Sequence, residues 1–255
     1  MNITINLNAD EYDSFLKCLV ELKDICDDVD IREGYIRQRC NSHTTVFEIN
    51  LNPIIGEINI PLSDLKQKID ILKLFSGRET VIEVNDEEFS FSDEISSIKF
   101  KNPSLEFMNN KFMPIEERDS IFLINEDDLI LEDELSTTVS ERIKVTTQVF
   151  NSTAVQVEFY GETATLTAKT QSKDQTAKLN QGMVMNIPIE NCYSNLPTNL
   201  FSIDHDTSIK FEMFKETDND VSINKLSTTI GDIDVNMYSR SSIMTEVEDE
   251  DEAPF

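Results

Sequence analysis

Ile58-Asn59-Ile60-Pro61-Leu62 recurs 127 residues further on as Met185-Asn186-Ile187-Pro188-Ile189. Each copy reads as a strand end running into a helix started by proline, which lacks an N–H and has a φ suited to the first helical position. Five residues alone carry little weight. The order of the flanking elements decides whether the chain is a duplication.

Upstream of the first copy, Ile3, Ile5 and Leu7 alternate as the apolar face of a strand does. Tyr12, Phe15, Leu16, Leu19 and Leu22 then step by three and four, with Asn8 as cap and Asp10 and Glu11 in the first turn, which predicts a helix. Alternating runs at Tyr35–Arg39, Val46–Leu51 and Ile55–Ile60 predict an antiparallel meander with one wet face. Leu62, Leu65, Ile69, Leu72 and Phe75 give a second helix ending at Ser76-Gly77, and strands follow at Thr80–Val84, Glu88–Ser92 and Ser97–Lys101.

Around the second copy the same order is expected. A strand is placed at Ser120–Ile124, a helix near Leu135–Asn151, strands at Ala154–Tyr160, Thr163–Thr170 and Lys178–Met185, a helix from Pro188, and strands at Ser208–Phe214, Asp220–Leu226 and Ile233–Tyr238. Residues 102–119 have no clean period, contain Pro103 and Pro114, and read as a connector. The prediction is an α+β chain of two similar domains, 1–104 and 120–245, joined by a connector at 105–119. Each has antiparallel sheets with two helices on one face. Glu246–Glu252 holds six acids, so 246–255 reads as a solvated, disordered tail.

Forty-nine acidic against twenty-two basic residues give a formal charge of -27, which opposes any nonspecific grip on a phosphate backbone. The chain therefore either avoids nucleic acid or holds it by something other than overall attraction. Cys18, Cys26, Cys40 and Cys192 form no C-x-x-C pair and suit a reducing compartment. Met1–Asn8 lacks the pattern of a signal peptide, and no apolar run is long enough to span a membrane. A cytoplasmic or replication-site location, nuclear in a eukaryote, and no secretion are expected.

The inventory for catalysis is poor. His43 and His205 are the two histidines, and the six glycines form neither a phosphate loop nor G-x-G-x-x-G. Asp204-His205-Asp206 and Asp218-Asn219-Asp220 lack the glycine and distant glutamate of a calcium loop and read as polar turns. No enzyme activity, metal or cofactor is expected.

Two copies of strand, helix, meander, helix and meander, with a connector and an acidic tail, resemble the DNA sliding clamps of the proliferating cell nuclear antigen (PCNA) and bacteriophage type. Tyr35–Leu51, with Asn41-Ser42-His43 between two strands, is similar to the family's strand-loop-strand beneath the connector. Met113-Pro114-Ile115-Glu116-Glu117 is similar to the connector, and Gly231–Arg240 to the final strand before the tail. The resemblance implies a ring formed by oligomerisation, a homotrimer for a two-domain chain, with the helices lining a central hole. Topology then holds the ring on double-stranded DNA of any sequence, so weak inner attraction suffices and the outside can be acidic.

On that resemblance Lys66 and Lys73, with Lys17, Lys68, Arg78, Arg142 and Lys144, are expected to face DNA. The first helix exposes Asp13, Glu21 and Asp24 beside Lys17, and Pro188–Leu196 offers no base, so the inner surface is less basic than the family pattern. The resemblance also implies an interdomain apolar groove for peptides of a DNA polymerase, a clamp loader and other replication proteins. Its expected walls are His43, Thr44 and Val46, then Phe112, Met113 and Ile115 of the connector, then Met237 and Tyr238. The competing reading is an acidic DNA mimic or adaptor that occupies a basic partner. It requires carboxylates spread over one binding face, whereas a clamp requires bases gathered on the helices. An enzyme ranks third.

Overall fold

The computed structural model describes residues 2–104, 111–149, 152, 154–169, 176–203, 207–216 and 220–245. The expected tail at 246–255, Asp204-His205-Asp206, Asp218-Asn219 and residues 105–110 of the connector lie outside them. The first half runs β1 (Ile3–Leu7), α1 (Ala9–Leu22), β2 (Val29–Arg32), β3 (Tyr35–Arg39), β4 (Thr45–Asn50), α2 (Asn52–Ile55), β5 (Ile60–Leu62), α3 (Leu65–Leu72), β6 (Thr80–Val84), β7 (Glu88–Ser92) and β8 (Ser97–Lys101). After α4 (Ile115–Ile121), the second half runs β9 (Leu129–Leu135), α5 (Thr137–Val149), β10 (Ala154–Lys169), β11 (Thr176–Pro197), a 3-10 turn at Thr198–Phe201, β12 (Ile209–Lys215), β13 (Val221–Ile230) and β14 (Ile233–Thr245).

The duplication is visible in how the strands pair. The four-stranded sheet has the order β1-β6-β7-β8, and β9-β12-β13-β14 follow the same order inside a ten-stranded sheet. In each half the strand before the long helix therefore pairs with the first strand after the second helical segment, and two hairpins follow. The halves are stitched by β14 and β4, from Val235 opposite Ile49 to Ser239 opposite Thr45. Beyond β4 the sheet continues through β3 and β2 to β5, and at its other end lie β11 and β10.

Local chemistry explains the helix that sets this arrangement. Asn8 accepts the Glu11 N–H at 3.0 Å while the Glu11 carboxylate accepts the Asn8 N–H at 2.9 Å, a reciprocal cap that satisfies two otherwise orphan donors. Tyr12, Phe15, Leu16, Leu19 and Leu22 of α1 are buried, and the Tyr12 hydroxyl donates to the Leu72 carbonyl at 2.8 Å, tying α1 to α3. Phe91 sits among Tyr12, Phe15, Phe75, Phe89 and Phe100, with ring centroids 6.1 to 6.4 Å apart. Burial of such rings supplies most of the driving force, and the edge-to-face contacts of Phe91 with Tyr12, Phe89 and Phe100 add to it.

The register of the repeat differs from the one expected. Met185–Ile189 lies inside β11, close to the register shift opposite Gly161, and no helix starts at Pro188. The counterpart of Pro61 is Pro197, which ends β11 before the 3-10 turn. Pro61 is itself in β5, the outermost strand of the large sheet, and the helix starts only at Leu65. Pro61 at a sheet edge, Pro188 beside the register shift and Pro197 at a strand end all sit where a missing N–H is tolerated. Ile55–Ile60 is not one strand, because Asn52–Ile55 forms a helical turn that Gly56 closes. Ser120–Ile124 is the end of α4 followed by a loop, and the true first strand of the second half is β9.

Candidate functional site

Helices α1, α3 and α5 share one side of the molecule. A Lys66–Asp24 pair at 3.6 Å joins α3 to the end of α1, and a Lys144–Glu21 pair at 3.9 Å joins α5 to α1. A cavity of about 430 Å³ separates Asp24 and Ile25 from Lys144, Thr147 and the turn at Thr198–Ser202. The β13–β14 turn also reaches this side. Gly231 has a φ of 58°, and a Cβ there would lie 2.9 Å from the Ser14 hydroxyl, so only glycine fits the approach.

Charge on these helices is close to balanced, unlike the chain as a whole. Helix α1 carries Asp10, Glu11, Asp13 and Glu21 against Lys17, α3 carries Asp70 against Lys66 and Lys68, and α5 carries Glu141 against Arg142 and Lys144. The expected basic residues divide into two groups. Lys66, Lys73 and Arg142 point outward, Lys66 77% exposed even while paired with Asp24 and Lys73 exposed while paired with Asp70 at 3.3 Å. The others are held more closely. Lys68 donates to the carbonyl and hydroxyl of Ser63 and lies 5.6 Å from the Phe100 ring centroid, and burial lowers its pKa. Arg78 is held 2.7 Å from Asp93, Lys144 is held by Glu21, and Lys17 is half-buried.

The connector covers the opposite face of the central sheet. Strand alternation puts Phe47, Ile49 and Met237 in the main core with the helices, and Val46 and Tyr238 in a second cluster with Met113, Phe122, Phe214 and Ile223. Met113 donates its N–H to the Arg37 carbonyl at 2.6 Å, and Phe112 bridges to Gln38. Glu48 accepts from Arg37 at 2.5 Å and pairs with Arg118 at 3.4 Å, and Arg118 donates to the Tyr238 hydroxyl at 2.7 Å. Burial and the nearby Glu48 carboxylate push the Tyr238 phenol up to about 12 against the opposing effect of Arg118. This largely buried network fixes the start of α4.

Beside it opens a cavity of about 460 Å³ lined by Arg39, His43, Thr44 and Val46 of the first half, Ile121 and Phe122 at the end of α4, and Ala154, Asn195, Pro197, Arg240, Ser241, Ser242 and Met244 beyond it. His43, Thr44 and Val46 are thus brought together as expected walls. Met113 and Tyr238 are buried beneath, and Met237 is fully buried on the other sheet face, a consequence of the period of two that separates neighbouring residues. These three line no part of the cavity. Phe112 and Ile115 line a different hollow of about 450 Å³ with Arg32, Tyr35 and Glu48. The sequence reading missed Ile121 and Phe122, which it placed in a strand, and the Arg240–Met244 end of β14.

No carboxylate lines the 460 Å³ cavity among the described residues, although the chain holds 49 acids. One wall is pinned by Cys40. Its sulfur lies 3.0 Å from the Ser42 hydroxyl, 3.7 Å from Thr44 Oγ1 and 3.6 Å from Asn199 Nδ2. Burial opposes ionisation of this thiol, but those donors and the Thr45 backbone outweigh it and lower its pKa. Asn199 also donates to Ser42 at 3.0 Å, so the His43 turn is fastened to the second half. All four cysteines are free thiols, and no described helix is long and apolar enough to cross a membrane.

The fold is that of the PCNA sliding clamps. The PCNA of Entamoeba histolytica superimposes with a TM-score of 0.64 at 14% identity, covering 94% of this chain and 98% of that one. The PCNA of Thermococcus kodakaraensis gives 0.63 at 15%, covering 94% and 99%. That of A. fulgidus, determined with the C-terminal region of FEN-1 bound, gives 0.61 at 12%, covering 96% and 100%. No family model and no curated protein sequence matches the chain.

Proposed function

We propose that the chain is the subunit of a ring that encircles duplex DNA, slides on it, and tethers a DNA polymerase and other replication proteins, including a clamp loader, through the carboxylate-free groove. It performs no catalysis. The domains are residues 1–104 and 120–245, with 105–119 as the connector. The carrying observation is the gathering of helices with nearly balanced charge on one face of a duplicated clamp fold, within a chain of net charge -27. A DNA mimic would concentrate carboxylates on its binding face, whereas here the three helices together carry six acids against five bases.

Strand β8 supports head-to-tail closure. It pairs only with β7 among the described residues and leaves one edge of the four-stranded sheet open, and an open edge invites a further strand. Three copies close the ring on this reading. Lys66, Lys73 and Arg142 make exchangeable phosphate contacts that position without reading sequence.

Sedimentation and negative-stain imaging test the assembly. A trimeric annulus at micromolar concentration is expected, and a monomer at every concentration rejects the proposal. With the ring in hand, the Lys66→Glu, Lys73→Glu double variant should be retained several-fold less on closed circular duplex. Its trimer should be unchanged. Unaltered retention removes these lysines from the DNA face.

A further inference from the structure

We propose that the ten residues after Thr245, Glu246-Val247-Glu248-Asp249-Glu250-Asp251-Glu252-Ala253-Pro254-Phe255, occupy the groove of their own chain. Their acids lie across Arg39 and Arg240, and Phe255 seats against Val46, Phe122 and Met244. This rests on the groove being a peptide site. It adds the chemistry of the occupant, an acidic segment with one aromatic anchor.

Three observations converge. Strand β14 delivers the chain to the rim of the groove, because Met244 lines it and Thr245 is the last residue paired to β11, opposite Cys192. Ten extended residues reach up to roughly 33 Å, enough to double back along a cavity that starts one residue away. The lining carries two arginines, a histidine and no carboxylate, while the following segment holds six acids. Without this run the chain still holds 43 acids against 22 bases, so the run is repelled by most of the remaining surface.

The arginines can change partners at little cost. Arg39 pairs with Glu117 at 3.7 Å and Arg240 pairs with Glu216, and both arginine side chains are 42% exposed. Exposed pairs of this kind contribute little, so a tail carboxylate replaces one at near-zero net cost. The apolar walls, Val46, Ile121, Phe122, Ala154, Pro197 and Met244, are more than an acidic stretch alone needs. Phe255 is the one aromatic residue in the segment that satisfies them. Tethering presents the segment at an effective concentration of order millimolar, so even weak intrinsic affinity blocks the groove most of the time. An incoming partner peptide must displace it.

The test uses a fluorescein-labelled synthetic decapeptide, EVEDEDEAPF, added to the full-length chain and to its Phe255→Ala variant. The variant should bind the probe about tenfold more tightly, since its own anchor no longer competes. Amide exchange should show the probe protecting His43, Thr44 and Phe122, and Met244→Glu in the variant should abolish binding. Equal affinity for both chains, or no binding to the variant, overturns the proposal. Protection that grows with wild-type concentration assigns the segment to a neighbouring copy and overturns the intrachain assignment. Failure of the groove reading itself is separable. Peptides selected from a random display library on the Phe255→Ala chain should protect the same amides, and protection elsewhere rejects the groove whatever the tail does.

Discussion

The two halves share a strand order and differ in what fills them. The first closes its helical layer with α3, and Phe91 stands in a fully buried aromatic cluster with Tyr12, Phe15, Phe75 and Phe89. The second has only the 3-10 turn at Thr198–Phe201 in that place. Where β11, β13 and β14 meet, its interior is polar. Ser194, Ser222, Asn224 and Ser239 are wholly buried, and Ser241 joins them by bonds of 2.8 Å to Ser194 and to Asn224 and 3.0 Å to Ser222. Topology is therefore preserved while the interior chemistry is exchanged, as pairing order constrains the backbone more tightly than packing constrains any one side chain.

The polar cluster has a geometric reason. Strand β14 changes partner along its length, pairing with β4 up to Ser239 and with β11 from Ile243. Small hydroxyls at the change-over let three strands approach, and their mutual bonds fix where the switch occurs. The end of β14 beyond that point is a wall of the groove. The first half needs no such device, since none of β6, β7 and β8 changes partner.

The sharpest break of the comparison is Phe91→Ala. It removes the ring that touches five others, and urea unfolding should show a loss of about 3–5 kcal/mol. If the loss is under about 1 kcal/mol, the aromatic cluster is not the anchor of the first half. Asn224→Leu strikes the second half with a residue of similar volume. It removes one partner each from the hydroxyls of Ser222 and Ser241 and breaks the network at its centre, so a loss of about 1–3 kcal/mol is expected, together with faster amide exchange at Arg240–Met244. A neutral or stabilising effect would mean that this interior tolerates apolar packing and that the network does not hold the switch.

Legibility followed the same divide. In the first half β1, α1, β3, β6, β7 and β8 are written in clean periods, and the five strands match residue for residue. Val29-Asp30-Ile31-Arg32 escaped because its first three residues are all buried, Asp30 against Arg32, so no wet face alternates. In the second half β9 reads Leu-Ile-Leu-Glu-Asp-Glu-Leu, and its three consecutive acids hide the period. Ser120–Phe122 has the composition of a strand, but Arg118 bonded to Glu48 and Tyr238 holds it as a helix end. The groove was half legible for the same reason. His43, Thr44 and Val46 lie on a readable hairpin, while Ile121, Phe122 and Met244 reach the cavity through tertiary contacts that no local pattern records.

The smallest expected effect tests how the helical segment of the first half is tied at its far end. Asp93 accepts from Arg78 at 2.7 Å and from the backbone N–H groups of Ser96 and Ile95. The Arg78 bond, aided by those N–H groups against a desolvation penalty, holds its carboxyl well below the usual carboxylate range. A depressed folded-state pKa contributes stability that is present above the unfolded value near 4 and is lost as pH falls through the folded value. Wild type should therefore lose an acid-dependent increment below about pH 4 that Asp93→Asn lacks, while at pH 7 the variant is slightly the less stable. Parallel stability curves for the two proteins from pH 7 down to pH 2 would show that Arg78 is not committed to Asp93. They would return it to the set of bases available to DNA.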